Sequence, residues 1–253
     1  MRTKFLGTGT SLGVPIIGCD CAVCRSSDPR DNRTRSSLLV ETQGRSIVID
    51  TGPDFRSQCL ANGVRHIDAV LITHPHRDHL AGLDDIRPFC FIQRQDIPVY
   101  ASKFTCDAIR RDFAYCFAEH KYPGVPDIEL HEIGCQPFDV CGIEVRPFIV
   151  MHADMEVTAY RIGNFTYITD AGRIPPQSMP VIEGSEYLVV NALRKDPPHA
   201  SHFTLPQALD LIAHVKPREA YITHISHQLG HEATQKELPP NVHLAYDGLT
   251  LQF

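Results

Sequence analysis

Four side chains able to hold a metal ion fall within six residues, in His74-Pro75-His76-Arg77-Asp78-His79. They follow the apolar run Ala69-Val70-Leu71-Ile72-Thr73 and precede a helical pattern at Leu80–Ile86. At the exit of a strand, residues two apart project to one side, so His74 and His76 can grip one ion. The chain then turns, and Asp78 and His79 at a helix start can face a second ion. Imidazole and carboxylate donors suit zinc, manganese or iron. Histidine and aspartate at this spacing point to metal rather than to a solvated polar loop.

Three further candidates stand at the ends of strand-like runs. His152 follows Phe148-Ile149-Val150-Met151, Asp170 follows Tyr167-Ile168-Thr169, and His224 follows Tyr221-Ile222-Thr223. With the first four they make seven ligands, the number two ions need if one carboxylate bridges them. A separate cluster, Cys19-Asp20-Cys21-Ala22-Val23-Cys24, offers three thiols. Three thiolates need a fourth ligand to close a tetrahedral zinc. His227, in Thr223-His224-Ile225-Ser226-His227, is the candidate. The remaining cysteines, at 59, 90, 106, 116, 135 and 141, lie among apolar neighbours and read as buried free thiols of a reducing compartment.

These residues need a frame of strands. Ser37–Glu41 and Ser46–Asp50 read as a hairpin around Gln43-Gly44. Phe55–Leu60 and Asp107–Phe117 have helical spacing, and Thr204 can cap a helix whose apolar face is Leu205, Leu209, Ile212 and Val215. Further strands are expected at Pro98–Tyr100, Val140–Val150, Thr158–Ile162, Phe165–Asp170 and Ala220–Thr223. Val242–Tyr246 and Thr250–Phe253 around Asp247-Gly248 read as a type I′ hairpin. The loop Gly7-Thr8-Gly9-Thr10-Ser11-Leu12-Gly13 lacks the glycine spacing of a dinucleotide site and reads as a tight turn. Strands dominate both halves with helices between them, which suggests an α/β fold layered αββα.

Composition bounds the rest. The 253 residues are 43% hydrophobic and 21% charged, enough to bury a core and unlike a disordered chain. The net charge of −6 and the lack of a basic stripe count against long nucleic acid as a partner. Local metal ions can still make such a protein bind a small phosphate ester. No run approaches the roughly 20 apolar residues of a membrane helix, and no apolar signal core follows Met1-Arg2-Thr3-Lys4. The expectation is a cytoplasmic protein without a membrane partner. Oligomeric state is open, a homodimer being one option.

The H-x-H-x-D-H run, the later His152, Asp170 and His224, and the upstream Asp50 together resemble the metallo-β-lactamase superfamily, from Leu6 to the C-terminus. The resemblance implies one αββα four-layer domain over residues 1–253. It gives His74, His76 and His152 to one ion, Asp78, His79 and His224 to another, and Asp170 to both as bridge. Asp50 would orient the ligand loop through hydrogen bonds.

A Gly-Thr-Gly start, the C-x-C-x-x-C loop near 19–24 and Thr-His-Ile-Ser-His further resemble PhnP-type phosphodiesterases. That likeness implies a structural zinc on Cys19, Cys21, Cys24 and His227. It also implies two catalytic divalent ions (Mn or Zn, with Fe admitted) and an active-site histidine at His202. The implied reaction is hydrolysis of a small cyclic phosphodiester, such as a ribosyl 1,2-cyclic phosphate, by a metal-bridging hydroxide. Asp78 or a protonated His202 would deliver a proton to the leaving alkoxide. Lys103–Pro126 is longer than the likeness predicts and is expected to be a substrate-facing insertion. The alternatives are an RNA-processing nuclease, a lactone or thioester hydrolase of the same fold, and a non-catalytic metal-binding protein.

Overall fold

The central strands are continuous apolar runs, and successive residues point to different cores. A computed structural model describes residues 1–253. Its first six strands are β1 (Arg2–Gly7), β2 (Ser37–Thr42), β3 (Arg45–Ile49), β4 (Ala69–Leu71), β5 (Ile97–Ser102) and β6 (Ile128–Ile133). Seven more follow: β7 (Phe138–Val140), β8 (Ile143–His152), β9 (Met155–Ile162), β10 (Phe165–Tyr167), β11 (Tyr187–Asn191), β12 (Glu219–Thr223) and β13 (Val242–Leu244). The last strand, β14 (Thr250–Gln252), returns to the first sheet. The sheet orders are β14-β1-β2-β3-β4-β5-β6 and β13-β12-β11-β10-β9-β8-β7. In each sheet, antiparallel pairing gives way to parallel pairing, at β3/β4 in one and at β10/β11 in the other.

Leu38, Val40, Ile47, Ile49, Ala69 and Leu71 pack between the sheets with Tyr160, Phe165, Tyr167 and Val189. Their neighbours Leu39, Val48, Val70 and Ile72 face outward into a second core. That core takes its other half from α1 (Phe55–Asn62), α2 (Arg77–Leu80), α3 (Arg87–Gln93) and α4 (Lys103–Asp112). Leu188 and Val190 face a third core, shared with α5 (Met179–Ile182) and α6 (Leu205–Val215). A last short helix, α7 (His231–Gln235), packs beside β13. The layers are αββα, the arrangement that the resemblance implies. Burying one such Leu or Ile contributes about 1.5–3 kcal/mol, so strand register is strongly specified.

Several expectations need correction. Val242–Tyr246 and Thr250–Phe253 do not form a hairpin. β13 pairs in parallel with β12 in one sheet, and β14 pairs with β1 in the other. Only Gly248 of the supposed turn has positive φ. The Asp247 carboxylate instead accepts hydrogen bonds from Thr8 Oγ1, Thr34 N and Thr34 Oγ1, which holds the crossing between sheets. Val140–Val150 is broken at Cys141-Gly142, both in the left-handed region. The helical pattern at Leu80–Ile86 splits into α2 and a 3-10 turn at Leu83–Ile86. Asp107–Phe117 likewise divides, with α4 ending at Asp112 and a 3-10 turn following at Ala114–Phe117.

The capping box at Thr204 and Gln207 forms as the sequence suggests. Residues Thr105, Cys106, Ile109, Phe113 and Cys116 of the 103–126 segment are buried, so α4 is part of the outer layer of the fold. Cys135 is exposed and Cys141 half-buried, unlike the other four scattered thiols. No helix is long and apolar enough to cross a membrane.

Candidate metal centres

The strands deliver the candidate ligands to one rim, at their carboxyl ends. Asp50 follows β3, His74 lies just beyond β4, His152 ends β8, Asp170 lies beyond β10, and His224 follows β12. Asp50, Asp170 and His224 have φ of 64°, 54° and 54°. Non-glycine residues adopt this left-handed region rarely, and it turns the backbone sharply out of the strand. Two glycines allow the Asp50 loop to lie against the metal motif. A Cβ on Gly52 would sit 2.1 Å from the Asp78 carbonyl oxygen, and one on Gly82 would sit 2.0 Å from that of Gly52. With no side chain there, Thr51 N donates to His79 O and Gly82 N donates to Thr51 O, both at 2.8 Å.

Donor atoms of Asp78, His79, Asp170 and His224 all lie within 4.8 Å of one another. Asp170 Oδ2 is 3.1 Å from His79 Nε2 and 3.3 Å from His224 Nδ1. Its other oxygen, Oδ1, faces His202 Nδ1 at 3.7 Å. The rings of His74, His76 and His152 lie close to one another, and that of His74 is 4.3 Å from His79. Their centroids are 4.7 Å (74–76), 5.0 Å (76–152) and 5.8 Å (74–152) apart. The structure therefore brings together all seven residues of the expected dinuclear set. His152, Asp170 and His202 also form a compact group, which makes His202 a further candidate ligand.

Neighbouring groups fix the ring orientations. His79 Nδ1 lies 2.7 Å from Asp50 Oδ2, which leaves Nε2 turned toward Asp78 and Asp170. Thr73 Oγ1 donates to Asp50 Oδ2 at 2.8 Å, so it must accept from His74 Nδ1, 2.9 Å away. His152 Nδ1 donates to the carbonyls of Asp170 and Ser201 at 3.1 and 3.0 Å. Sequence reading found Asp50 but missed Thr73 and Ser201. Thr73 was visible as a hydroxyl beside His74, whereas the Ser201 contact is a backbone carbonyl and leaves no signal in residue type.

The donors fit divalent metal. His74 Nε2, His79 Nε2 and His202 Nδ1 are buried without a hydrogen-bond partner, and buried polar atoms are rarely left so. Burial and the adjacent His79 push the His74 imidazole well below its ordinary value. Burial would lower His79 too, but Asp170, Asp78 and Asp50 raise it well above. Burial would raise Asp170, yet His224 and His79 bring it well below the usual carboxylate range. Unprotonated imidazole and ionised carboxylate are the forms a cation binds, so His74 and Asp170 are in that form and a cation would replace the proton that the three carboxylates favour on His79. Burial and then His224 push His202 down to about 3, so its ring is neutral at neutral pH.

Cys19, Cys21, Cys24 and His227 form a second compact group. His227 Nδ1 is 3.3, 3.4 and 3.6 Å from the three sulfurs in turn. A tetrahedral zinc with Zn–S about 2.3 Å and Zn–N about 2.0–2.1 Å puts sulfur and nitrogen about 3.5 Å apart. The Cys24 backbone N–H, donating to Cys21 Sγ, holds that thiol down to about 6, whereas burial raises Cys24 to about 11. The loop is tied to the catalytic rim through Ile225, whose N donates to Thr8 O at 2.9 Å and whose carbonyl accepts from Thr10 N at 3.2 Å.

Asp112, at the end of α4, pairs with Arg77 of the metal motif at 3.5 Å, and Tyr115 Oη donates to Asp84. These contacts dock the 103–126 segment on the helix that carries Asp78 and His79 and on the 3-10 turn that follows it.

A family profile described as a beta-lactamase superfamily domain matches residues 45–225. A crystal structure described as a new diphosphatase from the PhnP family is 41% identical, with a TM-score of 0.93. The alignment covers 100% of this chain and 98% of that one. The octanoyltransferase of Porphyromonas gingivalis is 41% identical over 252 residues. That match takes 98% of this chain but 51% of the other, so this chain spans about half the length of that curated relative. Zn(2+)-bound PqqB from Methylobacterium extorquens shares the fold at 22% identity and a TM-score of 0.81, covering 100% of both chains.

Proposed function

The chain belongs to the PhnP family of the beta-lactamase superfamily, and from that membership we propose that it is a metal-dependent phosphodiesterase acting on a small, cyclic phosphodiester. The coarser statement, a metal-dependent hydrolase, follows from the family and from the buried His/Asp cluster. The observation that carries the finer reading is the position of Asp170. One of its oxygens faces His79 and His224, and the other faces His202. A ligand set and a candidate phosphate contact thus meet at a single carboxylate.

His74, His76 and His152 would hold one ion, Asp78, His79 and His224 the other, with Asp170 between them. Bound there, the ions would supply positive charge at the phosphate oxygens and lower the pKa of water. His202 stands beside them as a neutral ring and would donate a hydrogen bond to a phosphate oxygen. The other role, a protonated His202 that serves the leaving oxygen, is separated from this one by the dependence on leaving group in His202→Ala. Asp78 is the most accessible of its group, its side chain 12% exposed against 2% or less for its three neighbours. Asp78 would take a proton from the attacking water and pass it to the leaving oxygen. An O–P bond forms, the ester P–O bond breaks, and the proton ends on the released alcohol. The cysteine loop would hold a structural zinc that takes no part in the reaction.

A second reading has a specific basis. The full-length neighbour at 41% identity is described as a diphosphatase, so a diphosphate linkage is the alternative scissile bond. Acyl transfer is not proposed, because the octanoyltransferase name belongs to a chain about twice as long. The test is a substrate screen on metal-reconstituted protein, using a ribosyl 1,2-cyclic phosphate, bis-p-nitrophenyl phosphate, a dinucleoside diphosphate and a thioester. Turnover of the cyclic ester is expected. Turnover of the diphosphate alone would move the assignment to the second reading, and turnover of the thioester alone would overturn both.

A further inference from the structure

We infer that Asn191, at the end of β11, is a positioning residue for the metal centre. Its side-chain amide holds Ala171, and through Ala171 it sets the mutual arrangement of Asp170, His152 and His202. The inference rests on the metal-binding reading of that centre and not on the choice of substrate.

β11 is an apolar run that ends in one polar residue, Tyr187-Leu188-Val189-Val190-Asn191. That residue is fully buried, and a buried amide needs hydrogen-bond partners. Asn191 finds two on a single residue. Ala171 N donates to Asn191 Oδ1 at 2.8 Å, and Asn191 Nδ2 donates to Ala171 O at 3.0 Å. A backbone N–H can only donate and a carbonyl can only accept, so this pairing fixes which way the amide faces.

The pairing forms where the strand ladder stops. β10 pairs with β11 as far as Tyr167 and Val189, and Ile168 N still donates to Val189 O at 2.9 Å. At Asp170 the backbone turns into the left-handed region, with φ of 54°. The Asn191 side chain then takes the place of a main-chain partner for Ala171. A non-glycine residue keeps such a conformation only where its surroundings over-determine it, and Asn191 supplies two of the constraints.

Three residues of the site are registered on the same short segment. Asp170 directly precedes Ala171. Phe203 N donates to Ala171 O at 2.6 Å, which places His202, the residue before it. Gly172 N donates to Met151 O at 2.8 Å, which places His152, the residue after it. A Cβ on Gly172 would lie 2.8 Å from the Ser201 carbonyl carbon, so the loop carrying His202 rests directly on this segment. Asn191 grips the segment by both polar groups of Ala171.

A positioning role must be separated from a loss of stability. Asn191→Asp keeps the shape and the Oδ1 acceptor but turns an acceptor toward Ala171 O, and Asn191→Ala removes both bonds. Thr166→Val is the control, because Thr166 lies on β10 and shares a buried hydrogen bond with Ser185 at 2.7 Å. Zinc and manganese affinities of the His/Asp centre would be measured by competition against a chelator, beside Tm. Both Asn191 variants should bind about 10–100-fold more weakly, the range for losing a group that orients ligands. The ion on the cysteine cluster should stay. Thr166→Val should lower Tm and leave the affinities unchanged. In a crystal structure of metal-free Asn191→Asp, Asp170 should leave the left-handed region or stand further from His202 Nδ1 than 3.7 Å.

Unchanged affinity in both Asn191 variants, a loss no larger than that of Thr166→Val, or an unmoved Asp170 and His202 would each overturn the role. A wild-type protein that binds no ion at the His/Asp centre would instead sink the metal reading, and the metal-free structures would then decide the role of Asn191 by themselves.

Discussion

The Asp50 carboxylate reaches His79 directly and His74 through one hydroxyl. Asp50 Oδ2 lies 2.7 Å from His79 Nδ1 and accepts from Thr73 Oγ1 at 2.8 Å, and Thr73 Oγ1 in turn meets His74 Nδ1 at 2.9 Å. One buried acid thus sets the tautomers of two histidines assigned to different ions. Thr73 N donates to Asp50 Oδ1 at 2.8 Å, so both carboxylate oxygens are engaged.

Asp50→Asn should therefore weaken metal binding at both catalytic positions by about 10–100-fold, the usual cost of losing such an orienting partner. Thr73→Val should weaken the His74 position more than the other. Competition against a chelator would measure both, and equal losses in Thr73→Val would argue against the relay.

Asp170→Ala should abolish turnover and reduce the metal content of the His/Asp centre, because both of its oxygens face candidate ligands. The ion on Cys19, Cys21, Cys24 and His227 should stay. Elemental analysis against protein concentration would show it, and full activity in the variant would end the two-metal assignment.

For His202→Ala the expectation is a fall in kcat/KM of about 10–100-fold, the scale of a lost hydrogen bond to a charged group. A neutral His202 predicts the same penalty for good and poor leaving groups. A penalty that shrinks with p-nitrophenolate would restore the proton-donor role.

Cys21→Ser should lower Tm and also weaken metal binding at the His/Asp centre, although Cys21 is remote from substrate. The link is the short path from His227 through Ile225 to His224, tied at Thr8 and Thr10. Lower Tm with unchanged catalytic-metal affinity would show the two sites to be independent.

His231 should make stability depend on pH. Burial and the Arg33 guanidinium, which donates to its Nδ1 at 3.2 Å, push its imidazole down to about 4. Above pH about 6.5, an ordinary histidine value, the ring is neutral whether the chain is folded or not. Between that value and pH about 4 only the unfolded chain takes up the proton, so stability falls as pH falls, by about 1–3 kcal/mol. His231→Gln should flatten that part of a Tm–pH curve, and an unchanged slope would exclude the residue.

Much of this centre was legible because its signals are local. His74 to His79 lie within one turn after an apolar run, and Cys19, Cys21 and Cys24 within one loop. Leu38 to Val40 and Ile47 to Ile49 are unbroken apolar runs and mark the strands of a hairpin, since a sheet buried on both faces needs apolar residues at every position. Other features depend on packing between distant segments and leave no such mark. Asp247-Gly248 has the residues of a hairpin turn, yet its flanking strands find partners in opposite sheets. Hydrogen bonds to β12 and to β1 outweigh the local preference there. The Thr73 hydroxyl and the Ser201 carbonyl acquire meaning only when the strands bring them to one rim. A hydrogen bond depends on distance and angle in space, and residue type along the chain specifies neither.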